Sequence, residues 1–269
     1  MSDTSFYIKL DNVTKEFPLA GRHALTVIKE LSLDIEKGSL VSILGPSGCG
    51  KSTLLNLMNG LDDVSAGSIT VNGHRIGRKE QSNVRIGVAF QTPRLLNWRS
   101  VRDNVILPLL VNGVTRAEAR DRAAKYLDLV GLGEFADYFP LRLSGGMQQR
   151  VSLARGLALE PDLLLADEPF SALDEITATR LRSELVEMWR VTGRTILFVT
   201  HNIREAVFLS SRLVVVTARP CHVHLDLPIL VPHPRDVTDK GLFEIETYVS
   251  EQFKVMEREA RERAASKAA

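Results

Sequence analysis

Apolar and polar residues alternate along "IKLDNVTKEF", Ile8 to Phe17, and again along "LSLDIEKGSLVSIL", Leu31 to Leu44, a period of two that predicts two or three strands near the N-terminus. The period then changes. From Ser52, "STLLNLMNGL" sets Leu54, Leu55, Met58 and Leu61 on one helical face, so a strand passes through a short glycine-rich loop into a helix. Three apolar runs of strand length follow: Asp162 to Pro169, Arg194 to Asn202 and Arg212 to Arg219. Helical stretches such as Ala178 to Thr192 lie between them, which is the α/β pattern of a mainly parallel sheet. Between Pro93 and Pro161 the pattern is mostly helical, as in "TRAEARDRAAKYLDLVG", and predicts a helical insertion. The last stretch, Val249 to Ala269, mixes Glu, Arg, Lys and Ala and predicts an exposed, fraying helix.

Composition narrows the class. The 269 residues are 44% hydrophobic and 25% charged, ordinary for one large domain or a domain with a subdomain. Lys plus Arg number 34 against 33 for Asp plus Glu, so no net field argues for nucleic acid. The two cysteines, Cys49 and Cys221, and the lack of a charged-then-apolar leader or a long apolar run predict a reduced, cytosolic chain.

The loop before the first helix reads Gly45-Pro46-Ser47-Gly48-Cys49-Gly50-Lys51-Ser52, followed by Thr53: a glycine, four residues, then Gly-Lys-Ser. This is the P-loop spacing, in which glycines let backbone N–H groups wrap a phosphate chain and the helix offers its positive end to the same anion. Lys51 reaches the outer phosphates and Ser52 ligates Mg²⁺. "LLLADEP" ends an apolar strand on Asp167 and Glu168, adjacent carboxylates that are expensive to bury unless a cation is near. Asp167 is then expected to hold Mg²⁺ in its first or second coordination shell, with Glu168 as general base for the attacking water. His201 ends the next strand, and because Leu44, Ala166 and Thr200 all lie at strand carboxyl ends, the three sites are expected to converge on the ligand crevice.

"LSGGMQQR", Leu143 to Arg150, is a second anion-binding helix start: Ser144 is suited to N-cap a helix with Met147, Val151, Ala154 and Ala158 on its apolar face, while Gly145 and Gly146 leave backbone N–H groups accessible. One terminal phosphate does not need two such starts in a single chain. A second copy is therefore expected to supply this edge in trans, with two nucleotides buried in a two-fold dimer.

Gly45 to Thr53, Gln91, Leu143 to Arg150, Leu163 to Pro169, Ser171 to Asp174 and His201 occur in an order and spacing that resembles the ATP-binding-cassette (ABC) ATPases, over residues 8 to about 220. The resemblance implies a P-loop NTPase fold with a mainly parallel core sheet, an N-terminal antiparallel β subdomain and a helical signature subdomain near 93–161. It implies one ABC ATPase domain over 1–230 and a helical extension over 231–269. It makes Gln91 the sensor of γ-phosphate and metal, Ser144, Gly145, Gly146 and Gln148 the signature acting in trans, and "SALD", Ser171 to Asp174, a loop at the dimer interface. His201 would stabilise the γ-phosphate, and Phe17 resembles the aromatic that stacks on adenine, its alternative being a strand-edge core residue. The cofactor implied is Mg²⁺ with ATP.

"PRLLNWRSVRDNV" after Gln91, and "TILFVTHNIREAVFLSSRLVVVTARP" with the later "HPRD", resemble the ATPase subunits of the nitrate, sulfonate and taurine importers. That group commonly has an acidic residue where Thr92 stands, proline where Asn97 stands and Asp where Asn202 stands. The resemblance implies a peripheral protein on the cytoplasmic face of the bacterial inner membrane, two permease subunits docking near Gln91 to Asn104, and an external substrate-binding protein. Trp98 would either line the docking groove or lie in the core. The alternatives are a soluble non-transport ABC ATPase and a lipid- or lipoprotein-extracting one; a signalling GTPase is excluded, because no Asn-Lys-x-Asp guanine reader occurs. Cys221, His222 and His224 fall short of a zinc signature, and Cys49 reads as a bystander with an accessible thiol.

Overall fold

The computed structural model describes residues 6–19, 22–80 and 84–268. The chain divides into two compact units, Met1–Ser82 with Phe198–Ala269, and Asn83–Leu197.

In the first unit, strands β1 (Ile8–Leu19) and β2 (Arg22–Ile35) form a long antiparallel pair, with Ile8 opposite Ile35, Leu10 opposite Leu33 and Phe17 opposite Leu25. After β3 (Leu40–Leu44) and helix α1 (Lys51–Met58), β4 (Ala66–Val71) pairs with β1 and with the two-residue β5 (His74–Arg75). These strands make an antiparallel sheet in the order β2-β1-β4-β5. Helix α1 is shorter than the apolar pattern predicts. It stops at Met58, Gly60 turns the chain at φ +73°, and Leu61 lies beyond it, 48% exposed, instead of on the helical face.

The second unit holds β6 (Ile86–Ala89), α2 (Val101–Val111), α3 (Arg116–Leu129), α4 (Gly145–Ala158), β7 (Leu163–Asp167) and α5 (Glu175–Thr192). The helices expected between Pro93 and Pro161 are α2, α3 and α4. Their starts follow from local chemistry: Ser100, Thr115 and Ser144 each accept a hydrogen bond from the backbone N–H three residues on. Val151, Ala154 and Ala158 of α4 are buried as its pattern predicts, whereas Met147, in the first turn, is half-buried. β6 and β7 are parallel and fully in register from Ile86–Leu163 to Ala89–Ala166.

Strand β8 (Thr195–Thr200) passes from the second unit to the first, followed by α6 (Ile203–Leu209), β9 (Arg212–Val216), β10 (Val223–Pro228) and α7 (Lys240–Ala268). β9 runs parallel to β3 and antiparallel to β10. Helix α7 differs from the expectation of a wholly solvated helix. It begins at Lys240, and Leu242, Val249 and Met256, two turns apart, are buried, with α6 packed against it. Ala269 lies outside the described residues.

Arg235, in the "HPRD" segment, explains how α6 is held at its end. Its guanidinium donates to the carbonyls of Val207 (2.7 Å), Phe208 (3.0 Å), Ser210 (2.8 Å), Ile229 (3.4 Å) and Val231 (2.7 Å). Burial pushes the guanidinium down to about 10, and the backbone acceptors keep the buried cation satisfied. Arg235→Met removes the donors and leaves the carbonyls at the α6 terminus unpaired. We expect a loss of about 2–3 kcal/mol, read as a melting temperature lower by roughly 5–10 °C, without loss of ATP binding by the folded protein.

Candidate functional site

In the first unit the loop leaving β3 turns directly into α1. The Gly45 N–H donates to the Thr200 carbonyl (3.4 Å), fixing the loop's start beside the end of β8. Gly50 is the N-cap of α1 at φ +120°, and a Cβ there would lie 2.8 Å from Val27 Cγ1, so both backbone and packing demand glycine. No side chain caps this helix and no acid lies in its first turn, which leaves its N-terminal amides available to an anion. Ser47, Gly48 and Ser52 are exposed, whereas Lys51 is buried and its Nζ donates to the Gly45 (2.8 Å) and Pro46 (3.0 Å) carbonyls. The loop thus places a cation, a run of amides and a hydroxyl together.

Cys49 corrects the sequence reading. The residue is 2% exposed, not accessible, and Cys221 is also buried. Hydrogen bonding to Cys221 and the Lys51 ammonium outweigh burial and lower Cys49 to about 7, while the neighbouring Cys49 and burial raise Cys221. His222 of the "CHVH" cluster lies against the Thr217 hydroxyl, Nδ1 to Oγ1 2.9 Å.

His201 is exposed at the end of β8, bracketed by a compact network. The buried Thr200 hydroxyl donates to Glu205 and accepts from the Asn202 N–H (3.0 Å), and Asn202 caps α6 by accepting from the Glu205 N–H (3.1 Å). Asn202 therefore performs the N-cap that an aspartate would. Phe17, near the end of β1, is half-buried, so it is not a closed core residue, and Lys15 Nζ lies 4.9 Å from its ring centroid.

In the second unit the adjacent carboxylates end β7 as predicted, but both are buried, Asp167 at 7% and Glu168 at 8% exposure. Glu168 adopts φ +45°, a left-handed conformation that costs a residue with a side chain on the order of 1 kcal/mol. Ser171 holds it there, donating from its N–H (3.2 Å) and its hydroxyl (2.9 Å) to the Glu168 carbonyl. Gln91 reaches this carboxylate, Nε2 to Glu168 Oε2 3.4 Å, so two residues 77 apart in sequence meet.

Helix α4 supports the same loop. Buried Gln149 donates to the Phe90 carbonyl (3.1 Å), and Arg155 donates to the carbonyls of Pro93 (2.7 Å) and Arg94 (2.9 Å). Sequence reasoning missed both. Their only signal is their spacing from Ser144 on one helix. Beyond Arg94, buried Asn104 accepts from the Leu96 N–H (2.7 Å) and donates to the carbonyls of Leu96, Arg99 and Ser100. The loop so held presents Trp98 outward at 74% exposure, which rules out the core alternative.

At the start of α4, Ser144 is the N-cap, and Gly145 is exposed with no atom within 4 Å of the position of a Cβ. At Gly146 a Cβ would lie 2.9 Å from the Ala172 carbonyl oxygen, so glycine there serves close packing on "SALD". Gln148 turns toward its own chain and donates to the Pro140 (3.1 Å) and Leu143 (3.2 Å) carbonyls. Asp174, the last residue of "SALD", caps α5, and the Thr177 N–H it accepts from (2.9 Å) holds its carboxyl below the usual range. The Gln91 amide oxygen and the Asp167 carboxylate of this unit, like the Ser52 hydroxyl of the first, are each hard oxygen donors of the kind Mg²⁺ takes.

The ABC transporter family model matches residues 28–171. The taurine import ATP-binding protein TauB of Rhizobium johnstonii is 46% identical over 218 residues, 80% of this chain and 81% of that protein. The aliphatic sulfonates import ATP-binding protein SsuB of Bacillus cereus is 37% identical over 246 residues, 91% of this chain and 95% of that one. Among solved structures, the ATP-binding cassette MJ0796, a dimer in a post-hydrolysis state bound to ADP and Pi, is similar with a TM-score of 0.77 at 33% identity, covering 84% of this chain and 100% of that chain. A P-loop strand-to-helix turn, a strand ending in Asp-Glu and a serine-capped Gly-Gly helix, matched by a family model over more than half the chain, make one conclusion unavoidable: the chain belongs to the ABC transporter family, as an ATP-hydrolysing cassette.

Proposed function

We propose that this chain is the ATPase subunit of an importer for a small anionic solute of the taurine or sulfonate kind, working as a dimer on the cytoplasmic face of the membrane beneath two permease subunits. The ABC ATPase domain is taken as 1–230 and the helical extension as 231–269. No helix among the described residues is long and apolar enough to cross a membrane. In this reading the partners form the transport path. A substrate-binding protein outside would deliver the solute to them.

In this reading Phe17 stacks on adenine and the amides of Gly45 to Thr53, with Lys51, neutralise the phosphates. Ser52, Gln91 and Asp167 would hold Mg²⁺, which would supply neutralisation of the phosphate charge. Glu168 orients the attacking water and takes its proton, and Gln91, hydrogen-bonded to that carboxylate, senses whether the γ-phosphate is present. His201 stabilises the γ-phosphate oxygens as charge develops. Ser144, Gly145 and Gly146 of the second copy close over the γ-phosphate, and Gln148 keeps their approach rigid through the turn before them. Two copies are then joined while ATP is intact and released once it is cleaved.

The observation that carries the transport reading is Trp98: a large aromatic held out on a loop whose backbone is pinned by Asn104 and Arg155, next to Gln91. Partner permease helices would dock there. Trp98→Glu is expected to fold with stability within about 0.5 kcal/mol of the parent, since the side chain is exposed, and to bind ATP normally by calorimetry. It should fail to co-purify with the permease and to energise uptake in reconstituted vesicles. Undiminished permease binding and uptake would sink the docking role.

A further inference from the structure

Along the second half of β1, Val13, Lys15 and Phe17 occupy alternate positions and fall on one face of the strand. Val13 is fully buried and Phe17 half-buried, so Lys15, at 8% exposure, stands where the strand's own pattern calls for an apolar side chain. A buried ammonium is costly unless partners replace its water. Here the partners are specific. Lys15 Nζ donates to the Asp63 carbonyl (2.8 Å), pairs with the Asp62 carboxylate (3.0 Å) and lies over the Phe17 ring, 4.9 Å from its centroid. Burial works against the Asp62 carboxylate, but the hydrogen bonds from Lys15 and the Asp63 N–H outweigh it and hold the group below the usual carboxylate range.

Asp62 and Asp63 belong to the connection from α1 to β4, so they follow the helix that begins at the phosphate loop. Arg78 grips the same connection: its Nε donates to the Leu61 carbonyl (2.8 Å), its backbone N–H donates to the Asp63 carboxylate (2.8 Å), and its Nη2 lies 3.4 Å from the Asp62 carboxylate. Lys15 therefore ties the Phe17 ring to a fixed stretch of backbone. The ring gains from this in two ways. A half-buried phenyl group keeps rotational freedom that a stack on a flat base must remove, and the ammonium over it removes part of that freedom beforehand. A cation also draws π density toward itself, which leaves the opposite face of the ring electron-poor and better suited to an electron-rich purine.

We propose that Lys15 is a positioning residue for the nucleobase: its ammonium covers one face of the Phe17 ring, turns the other face to adenine, and anchors the ring to the segment leaving the phosphate-loop helix. This deepens the adenine-stacking reading of Phe17 and rests on it. Lys15 itself touches no part of the nucleotide. It acts through the ring, so its effect belongs to the base and not to the phosphates, which the loop amides and Lys51 take in the same reading.

The test uses the full chain and compares, by calorimetry, Mg-ATP with Mg-tripolyphosphate, which offers a similar anion without a base. Lys15→Met should bind Mg-ATP about three- to thirtyfold more weakly, the range spanned by a cation over an aromatic ring, and should bind tripolyphosphate within about twofold of the parent. Phe17→Leu should also weaken Mg-ATP. Adding Lys15→Met to Phe17→Leu should then change ATP affinity by less than about twofold, because the ring through which Lys15 acts is gone. Lys15→Gln keeps a donor for the Asp63 carbonyl and removes the charge, so it makes the same comparison where Lys15→Met is too unstable to measure. Equal losses of ATP and tripolyphosphate would make Lys15 a support of the loop alone and overturn the proposal, as would parental ATP affinity in the single variant or additive losses in the double one. A parent that binds tripolyphosphate as tightly as ATP would instead overturn the stacking role of Phe17, and the role of Lys15 with it.

Discussion

Glu168→Gln should lower ATP turnover by about 10²–10⁴-fold while ATP still binds, and Mg-ATP should trap the variant as a dimer in gel filtration. Three features of the site make this the cleanest single change. The glutamine is nearly isosteric, and the left-handed turn at φ +45° is held through the backbone carbonyl by Ser171, so the fold has no reason to change. In the proposed mechanism the phosphate contacts lie on other residues, chiefly the loop amides and Lys51, so affinity should survive. What disappears is the carboxylate proposed to accept a proton from water. A buried carboxylate at 8% exposure, touched by Gln91, is suited to that role because little bulk water competes for it. Turnover at the parental rate would remove Glu168 from the mechanism.

The second large effect concerns assembly in trans. Lys51→Ala and Gly145→Asp should each lose more than about a hundredfold in ATP turnover alone, the first through the phosphate loop and the second through the serine-capped helix. Gly145 is informative because nothing in its own chain lies within 4 Å of a Cβ there. An aspartate is therefore tolerated by the fold and harmful only to an anion brought from outside, whose charge it repels at the helix N-terminus. If each site is shared between copies, a mixed dimer holds one intact site and one doubly damaged site. Random mixing of equal amounts then restores up to about one quarter of the parental turnover, because half of the dimers are mixed and each has one of two sites. Well-folded mixed dimers with no recovery would refute sharing, as would full activity from a monomer.

Much of this protein is written in local signals. The phosphate loop, the Asp-Glu strand end and the serine-capped Gly-Gly helix each occupy fewer than a dozen consecutive residues, and each depends on spacing within a turn or on a single cap. The α/β pattern was legible for the same reason: β3, β7, β8 and β9 are continuous apolar runs, buried at nearly every position. Strands β4, β5, β6 and β10 left no comparable pattern. β5 has two residues and β6 four, while β4 begins and β10 lies largely on partly exposed surface. Such segments become strands because a neighbour offers a free row of backbone groups, not because their own side chains demand it.

The sequence by itself determined where the chain carries a P-loop, an Asp-Glu strand end and a serine-capped Gly-Gly helix start, since each needs only chemistry a few residues long. Which residues meet was decided by the tertiary structure alone. Gln91 touches Glu168 across 77 residues, and Arg155 pins Pro93 from 62 residues away. Cys49 is buried instead of exposed, Trp98 is held outward instead of packed, and α7 hides one stripe of a helix whose composition reads as solvated. Burial and pairing are properties of what packs against a residue, and that partner comes from a distant part of the chain whose approach no local period or spacing encodes.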